Sequence, residues 1–107
     1  MIDIHAHIDT FNEAVAGGNW DAFVARFADD AVLEFVGPPV GPFAGRDAIA
    51  AAYRESPPDD TIEVVGAVTS DGDTLVVPYR WTTTGATGTM RFTERSGRIA
   101  RLVVTFD

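Results

Sequence analysis

A single carboxylate stands inside an apolar run early in the sequence, and its chemistry depends on which way it points. The segment "FADDAVLEFVG" at 27–37 places Glu34 among leucine, phenylalanine and valine residues. Directed into an apolar pocket, Glu34 would have a raised pKa and could act as a general base. Directed outwards from a sheet, it would be an ordinary solvated side chain. The two interpretations differ by one residue of strand register, because successive side chains alternate between faces.

Two histidines and three polar-tipped aromatic residues are the other candidates for chemistry. His5 and His7 would point in different directions on a helix, so a shared metal ion is not expected. His7 either reaches a pocket as a general base with a pKa near neutrality, or stands exposed near the chain terminus. Tyr53, Tyr79 and Trp81 either pack with local hydrogen bonds or supply the few donors of a ligand cavity.

Three helices are expected in the first half of the chain. Apolar residues at helical spacing predict a helix from Ile4 to the glycines at 17 and 18. Asn19 can cap a second helix with the sequence "WDAFVARFA" at 20–28. Strong helix formers compose "RDAIAAAYRES" at 46–56, and two prolines follow it. Helices this short need an apolar face packed against other elements.

The remaining segments predict a sheet. "AVLEFVG" precedes the third helix, and the second half contains the segments "TIEVVGAV", "TLVVPYRWTTTG", "GTMRFTE" and "RIARLVVTF", separated by turn sequences. This order predicts an α+β domain with helices packed on one face of a curved, mostly antiparallel sheet. A length of 107 residues, of which 46% are hydrophobic, predicts one domain spanning 1–107.

Arginines indicate which face of three strands is buried. Arg80, Arg91 and Arg101 each alternate with large apolar residues along their strands. Burying an unpaired arginine is costly, whereas burying a large apolar side chain contributes roughly 1.5–3 kcal/mol. The arginines should therefore face outwards in a ladder of charge pairs. In "VLEFV" both faces are apolar, so composition does not determine the direction of Glu34.

Charge and composition limit the partners. The formal net charge of −8 disfavours nucleic acid and anionic membrane surfaces. The absence of cysteine excludes disulfides and thiolate chemistry. The N-terminal segment "MIDIHAHID" lacks the features of a signal peptide, so a cytoplasmic protein is expected. No metal or other cofactor is predicted.

Several short motifs together resemble a known superfamily. "FADDAVLEFVG", the proline–glycine loop after it, "GRDAIAAAYRE", "PYRW", "MRF" and "GRI" are similar to the nuclear transport factor 2-like superfamily, specifically its ketosteroid isomerase and SnoaL-like branch. The resemblance covers nearly the whole chain. It implies a cone-shaped α+β domain with three helices on the concave face of the sheet, an apolar cavity between them, and a homodimer through the outer sheet face.

The resemblance also implies which catalytic groups are missing. Ketosteroid isomerases use a carboxylate base, with a tyrosine and a protonated aspartic acid that hold the enolate oxygen. These positions fall at Phe35, Phe11 and Gly88, so that mechanism is not expected here. A supporting tyrosine is kept as Tyr53, and another becomes Phe27. With Phe35 directed inwards, Glu34 is expected on the outer face.

The predicted function is that of a small-molecule-binding SnoaL-like domain, with Tyr53 and His7 as the candidate catalytic groups. The substrate would be a small apolar or polycyclic molecule of polyketide or isoprenoid type, and the reaction an isomerisation, cyclisation or hydrolysis. The alternative is a non-catalytic ligand-binding or dimerisation module. The residues predicted to line the cavity are Phe11, Phe35, Tyr53, Val77, Tyr79, Trp81, Met90, Leu102 and Phe106.

Overall fold

The computed structural model describes residues 3–38 and 40–107, and within them three helices and seven strands form an α+β fold. The elements are α1 (Ile4–Gly17), α2 (Asp21–Val24), β1 (Phe27–Val36), β2 (Phe43–Ala44), α3 (Arg46–Glu55), β3 (Ile62–Val64), β4 (Thr69–Asp71), β5 (Thr74–Trp81), β6 (Thr87–Arg95) and β7 (Arg98–Phe106). The predicted class, a cone with helices against a curved, mostly antiparallel sheet, is confirmed.

The sheet places the first strand, β1, beside the last strand, β7. Its order is β2-β1-β7-β6-β5-β3, and β4 also pairs with β5. The pair of β1 and β7 is parallel, whereas the other strand pairs of the described residues are antiparallel. Register shifts interrupt β1 between Phe27 and Val32 and β6 between Thr93 and Glu94, and irregularities of this kind bend a sheet.

Helix α1 has a capping residue at each end and is attached to the sheet edge. Asp3 accepts a hydrogen bond from the backbone N–H of Ala6 at 3.1 Å, and Gly18 ends the helix with a φ of 76°. The amide side chain of Asn12 both donates to and accepts from the backbone of Ile62 in β3, at 2.9 Å each way. These bonds determine where the inward face of α1 lies over the sheet.

No helix among the described residues has the length and apolarity needed to cross a membrane.

The second helix is much shorter than predicted. Helix α2 ends at Val24, and Phe27, which was predicted as part of the helix, begins β1. The backbone carbonyl of Arg26 accepts a hydrogen bond from Ile99, and Phe27 pairs with Ile99 in the sheet. Pairing with a strand more than seventy residues away therefore overrides the local helical pattern.

The predicted strand "TIEVVGAV" is also shorter than expected. Strand β3 ends at Val64, and β4 starts separately at Thr69. Gly66 interrupts the run where the chain approaches Pro78 of β5: a Cβ built on Gly66 would lie 3.1 Å from the proline ring. The final strand, by contrast, has the predicted bounds of 98–106, because its alternation is uninterrupted.

Candidate functional site

Two adjoining cavities lie between the helices and the concave face of the sheet. The inner chamber has a volume of about 150 Å³, and the outer vestibule has a volume of about 320 Å³. Both are bordered by Phe35, Tyr53, Pro58 and Phe106, so the two cavities adjoin at these four residues, and this boundary is called the passage below.

The inner chamber is lined by most of the residues that the sequence predicted for a cavity. Its wall consists of His7, Phe11, Phe23, Phe35, Tyr53, Pro58, Ile62, Tyr79, Trp81, Met90, Leu102, Val104 and Phe106. Val77 was predicted to line it and does not. Val77 is on the inward face with 0% exposure, but its short side chain reaches less far than that of its cross-strand neighbour Met90. Four residues of the wall were not predicted from the sequence, namely Phe23, Pro58, Ile62 and Val104, although Val104 has the inward parity.

The vestibule was not predicted. It is formed by the loop after β1 and by the end of α3, with Pro38, Val40, Phe43, Ala52, Glu55, Ser56 and Pro58 among its residues. The spacing of apolar residues predicts helices and strands but not the path of a proline–glycine loop, so the sequence did not indicate the vestibule. A usable signal was present: Val40 and Phe43 are large apolar residues in the segment that the sequence predicted as an irregular proline–glycine loop. Among the described residues, Glu55 is the one carboxylate that lines either cavity.

Glu34 lies on the outer face of the sheet, away from both cavities. Its neighbours Leu33 and Phe35 face the helices, and its carboxylate forms an ion pair with Arg101 of β7. Arg80 likewise pairs with Glu63, with Nε donating to Oε1 at 2.8 Å. The strand alternation therefore directs the charged groups outwards, as predicted from the arginines.

Glu34→Gln should leave ligand affinity unchanged and lower the free energy of unfolding by less than about 1 kcal/mol, because an exposed ion pair contributes little. Titration calorimetry and urea unfolding measure the two quantities. A tenfold loss of affinity would contradict the outward placement of Glu34.

His7 is buried, with an exposure of 2%, and it is among the residues that line the inner chamber. Its ring contacts Phe23 and Phe92 at centroid distances of 5.1 and 5.0 Å, and its Nδ1 has no hydrogen-bond partner. Burial, with a smaller contribution from the charge of Arg26, lowers the pKa of His7 to about 3. Both predicted alternatives are therefore wrong in part: His7 is not exposed, and its pKa is not near neutrality.

Tyr53 stands at the passage between the two cavities. Its ring stacks on Trp20 at 4.8 Å and meets Phe23 edge-on at 5.0 Å, so helix α2 holds the orientation of this α3 side chain. Burial raises the pKa of Tyr53 above its usual value. At neutral pH the phenol is protonated, and it can donate a hydrogen bond to a ligand but cannot serve as a base.

Tyr79 crosses to the neighbouring strand and lies over Gly88. The two residues are cross-strand partners, and a Cβ built on Gly88 would lie 2.7 Å from the Tyr79 hydroxyl oxygen. The hydroxyl is buried without a hydrogen-bond partner. Burial raises the pKa of Tyr79, and the charge of Asp107 adds to this shift.

The site therefore offers apolar surface and a few uncharged polar groups. In the described part of the chain, no three histidine or acidic side chains come together as a metal site requires. The polar tips in the inner chamber belong to His7, Tyr53, Tyr79 and Trp81. This arrangement can bury an uncharged ligand and orient it by hydrogen bonds, and Tyr53 can polarise a carbonyl group at the passage.

Comparison with known families gives a match over most of the chain. A model of the SnoaL-like domain matches residues 8–104. None of the curated proteins matches the chain significantly.

Solved structures with the same architecture include two proposed enzymes of different activity and a designed protein. A Sinorhizobium meliloti protein proposed to be a polyketide cyclase is 28% identical, with a TM-score of 0.67 over 92% of this chain and 93% of that chain. A Kribbella flavida protein proposed to be a ketosteroid isomerase is 20% identical, with a TM-score of 0.72 over 95% of this chain and 76% of that one. A de novo designed protein with a curved β-sheet has 20% identity and a TM-score of 0.69, covering 97% of this chain and 84% of its own.

Proposed function

Since the chain belongs to the family of SnoaL-like domains, we propose that it binds a small, largely apolar molecule of polyketide or isoprenoid type between its sheet and helices. The observation that carries the proposal is the inner chamber, whose wall is aromatic and aliphatic apart from a few uncharged polar tips. Burial of apolar ligand surface would supply most of the affinity, and the polar tips would set the orientation.

The reaction type follows from the groups that are present. Tyr53, as a protonated phenol at the passage, would donate a hydrogen bond to a ligand carbonyl and polarise it, as an isomerisation or cyclisation requires. His7, with a pKa of about 3, is too weak a base to remove a carbon-bound proton efficiently at neutral pH. We therefore assign to Tyr53 the polarisation of the ligand carbonyl, and to His7 a role in binding the ligand.

The second candidate function is a binding module without chemistry. It is favoured by one observation: within the described residues, no carboxylate lines the inner chamber. The fold does not discriminate between the two, because the same architecture occurs in a protein proposed to be a cyclase and in a designed protein. The two candidates share the same ligand class and the same cavity, so one binding experiment tests both.

Leu102→Trp should weaken binding of biphenyl, a neutral two-ring probe, by about tenfold, which corresponds to about 1.4 kcal/mol. Leu102 is on the inward face of β7 and lines the chamber, so an indole there would occupy the space proposed for the ligand. Isothermal titration calorimetry measures the affinity.

The control is Glu13→Trp, which adds the same indole at an exposed position of α1 and should leave the affinity unchanged. If biphenyl does not bind the unmodified protein, or binds Leu102→Trp equally well, the cavity is not the ligand site.

The outer face of the sheet is proposed to form a homodimer. Valine, proline and threonine side chains cross the centre of this face, at Val36, Val76, Pro78, Thr89, Val103 and Thr105. Val36 is 48% exposed, and a second copy of the same surface would cover it. Val103→Asp should convert the dimer to a monomer in sedimentation velocity, because it places a charge at the centre of the contact. A monomeric unmodified protein would contradict the proposal.

We place this activity in the cytoplasm, on the grounds of composition. The chain has no cysteine and a net charge of −8, which suit a reducing compartment and disfavour binding to nucleic acid or anionic lipid.

A further inference from the structure

A polar cleft lies on the surface between the end of α2 and the hairpin that joins β6 to β7. It has a volume of about 390 Å³ and is lined by Ala25, Arg26, Ser96, Gly97, Arg98 and Ile99. None of these residues lines the inner chamber or the vestibule. Ser96, Gly97 and Arg98 are exposed, so a solute can reach the cleft from outside. Among the described residues, two arginines and no acidic side chain line it.

The ion pairing of the arginines distinguishes this cleft from the rest of the surface. The chain has 8 basic side chains, all of them arginine, against 16 acidic ones. Within the described part of the chain, five arginines form ion pairs with acidic side chains, namely Arg46, Arg54, Arg80, Arg95 and Arg101. Arg26, Arg91 and Arg98 form none there. Although acidic side chains are in twofold excess, two of these three arginines line the same cleft.

Hydrogen bonds to backbone carbonyls hold the two arginines of the cleft without neutralising them. Arg98 Nη1 donates to the carbonyl of Ala25 at 2.6 Å, and Arg26 Nη2 donates to the carbonyl of Asp3 at 3.4 Å. A carbonyl oxygen is uncharged, so it leaves the positive charge of each guanidinium in place. Each guanidinium carries five N–H donors, so donors remain on the exposed Arg98 and the half-buried Arg26.

Acidic side chains on the neighbouring elements do not line the cleft. The Asp3 carboxylate accepts a hydrogen bond from the backbone N–H of Ala6 at the start of α1. Asp30 pairs with Arg95. Glu94 is the cross-strand partner of Ile99 but is not among the lining residues. The cleft is therefore a positively charged site on a protein whose net charge is −8.

The hairpin turn adds a neutral donor to the two arginines. Ser96 and Gly97 have φ values of 54° and 80°, as the central residues of a two-residue hairpin turn require. Ser96 is the one residue other than glycine with a positive φ among the described residues, and this conformation is strained for serine. Turns of this kind favour asparagine, aspartate or glycine at the first position. An aspartate would place a negative charge in the cleft, whereas serine supplies a hydroxyl.

A phosphoryl group matches the charge and the donors of this lining. A phosphate monoester carries a charge of about −1.5 to −2 at pH 7 and has three strong acceptor oxygens. Arginine binds such a group through two parallel N–H···O bonds, and these charge-assisted bonds are stronger than bonds between neutral groups. A carboxylate carries less charge and has only two acceptor oxygens for two guanidinium groups and a hydroxyl.

We propose that this cleft binds a phosphoryl group between the guanidinium groups of Arg26 and Arg98, with the Ser96 hydroxyl as a further donor. The ligand is either inorganic phosphate or the phosphate of a small ester, because both present the same group to the cleft. The site is separate from the cavity of the proposed function, with which it shares no lining residue.

A titration of the unmodified protein, followed by ¹H–¹⁵N NMR at neutral pH and constant ionic strength, tests this site. Sodium phosphate and glycerol phosphate should shift the amide resonances of Ser96 and Gly97 saturably. Sodium acetate should not, and sodium chloride measures the effect of screening alone. Tighter binding of glycerol phosphate would identify an ester as the ligand, and equal binding would identify phosphate itself.

Arg26→Gln and Arg98→Gln should each weaken phosphate binding by about tenfold, because each removes charge-assisted hydrogen bonds to the anion. The matched control is Arg91→Gln, which removes the same charge from the third arginine without an ion pair, on the outer face of the sheet. It should leave the affinity unchanged. If Arg26→Gln fails to fold, Arg98→Gln and the titration of the unmodified protein still decide the question.

Three results would each overturn the proposal. Phosphate could shift the Ser96 and Gly97 resonances no more than sodium chloride does, acetate could bind as tightly as phosphate, or Arg91→Gln could weaken binding as much as Arg98→Gln. None of these results bears on the apolar ligand cavity, and a failure of biphenyl to bind leaves the phosphoryl site standing.

Discussion

Gly88→Ala is expected to lower the free energy of unfolding by about 3 kcal/mol, at the upper end of what overpacking usually costs. A Cβ at position 88 would lie 2.2 Å from the backbone oxygen of Thr105 and 2.7 Å from the Tyr79 hydroxyl. The tyrosine can move, but the carbonyl belongs to β7 and moves only if the pairing of β6 with β7 is disturbed. The substitution should also displace Tyr79 from the chamber wall. Urea unfolding measures the loss of stability.

Gly17→Ala is the matched control. Gly17 is the last residue of α1, and no atom lies within 4 Å of a Cβ built there. Alanine at that position should stabilise the protein by up to about 1 kcal/mol, because it has the higher helix propensity and restricts the unfolded chain. A loss below about 1 kcal/mol in Gly88→Ala would mean that β7 accommodates a side chain at this crossing, contrary to the contacts described.

His7 is expected to make the protein sensitive to acid. The pKa of His7 is about 3 in the folded state, against an ordinary value of 6.5. Between these values the unfolded chain binds a proton at His7 and the folded chain does not, so this contribution to stability is lost as the pH falls from about 6.5 to 3. The slope is about 1.4 kcal/mol per pH unit, which gives a loss of about 2 kcal/mol between pH 7 and pH 5.

His7→Phe should remove this component, because it replaces the imidazole with an apolar ring among Phe23, Phe27 and Phe92. The stability difference between the variant and the unmodified protein should grow by about 2 kcal/mol from pH 7 to pH 5, measured by urea unfolding at each pH. His5→Gln, at an exposed position of the same helix, is the control and should follow the unmodified protein. A pH-independent difference for His7→Phe would show that the imidazole can be protonated while the protein remains folded.

The sequence predicted the architecture because local patterns and long-range packing agree in most of the chain. Helix α1 and strand β7 have the predicted bounds, since each has an uninterrupted period and a distinct turn or cap at its ends. The boundary between α2 and β1 was wrong because "ARFADD" has no local signal for the pairing of Phe27 with Ile99. That pairing depends on contacts between opposite ends of the chain.

The cavity wall was predictable where strand alternation determines it. The positions of Arg80, Arg91 and Arg101 indicated which face of three strands is exposed. The residues on the opposite face of those strands form most of the sheet side of the inner chamber. The residues contributed by loops and helix ends were missed, as Val40 and Ser56 illustrate. Their positions follow from the path of the proline–glycine loop over α3, which no periodicity encodes.

Alternation of apolar and charged residues was sufficient to assign the fold class, the inward face of the later strands and the outward position of Arg101, because the cost of burying a charge leaves one choice. Two properties of the site required the folded chain. The burial of His7 depends on how α1 lies over β6. The position of the Tyr79 side chain over Gly88 depends on the register of β5 and β6. Both result from contacts between residues far apart in sequence, and these contacts lower the pKa of His7 and leave the Tyr79 hydroxyl without a hydrogen-bond partner.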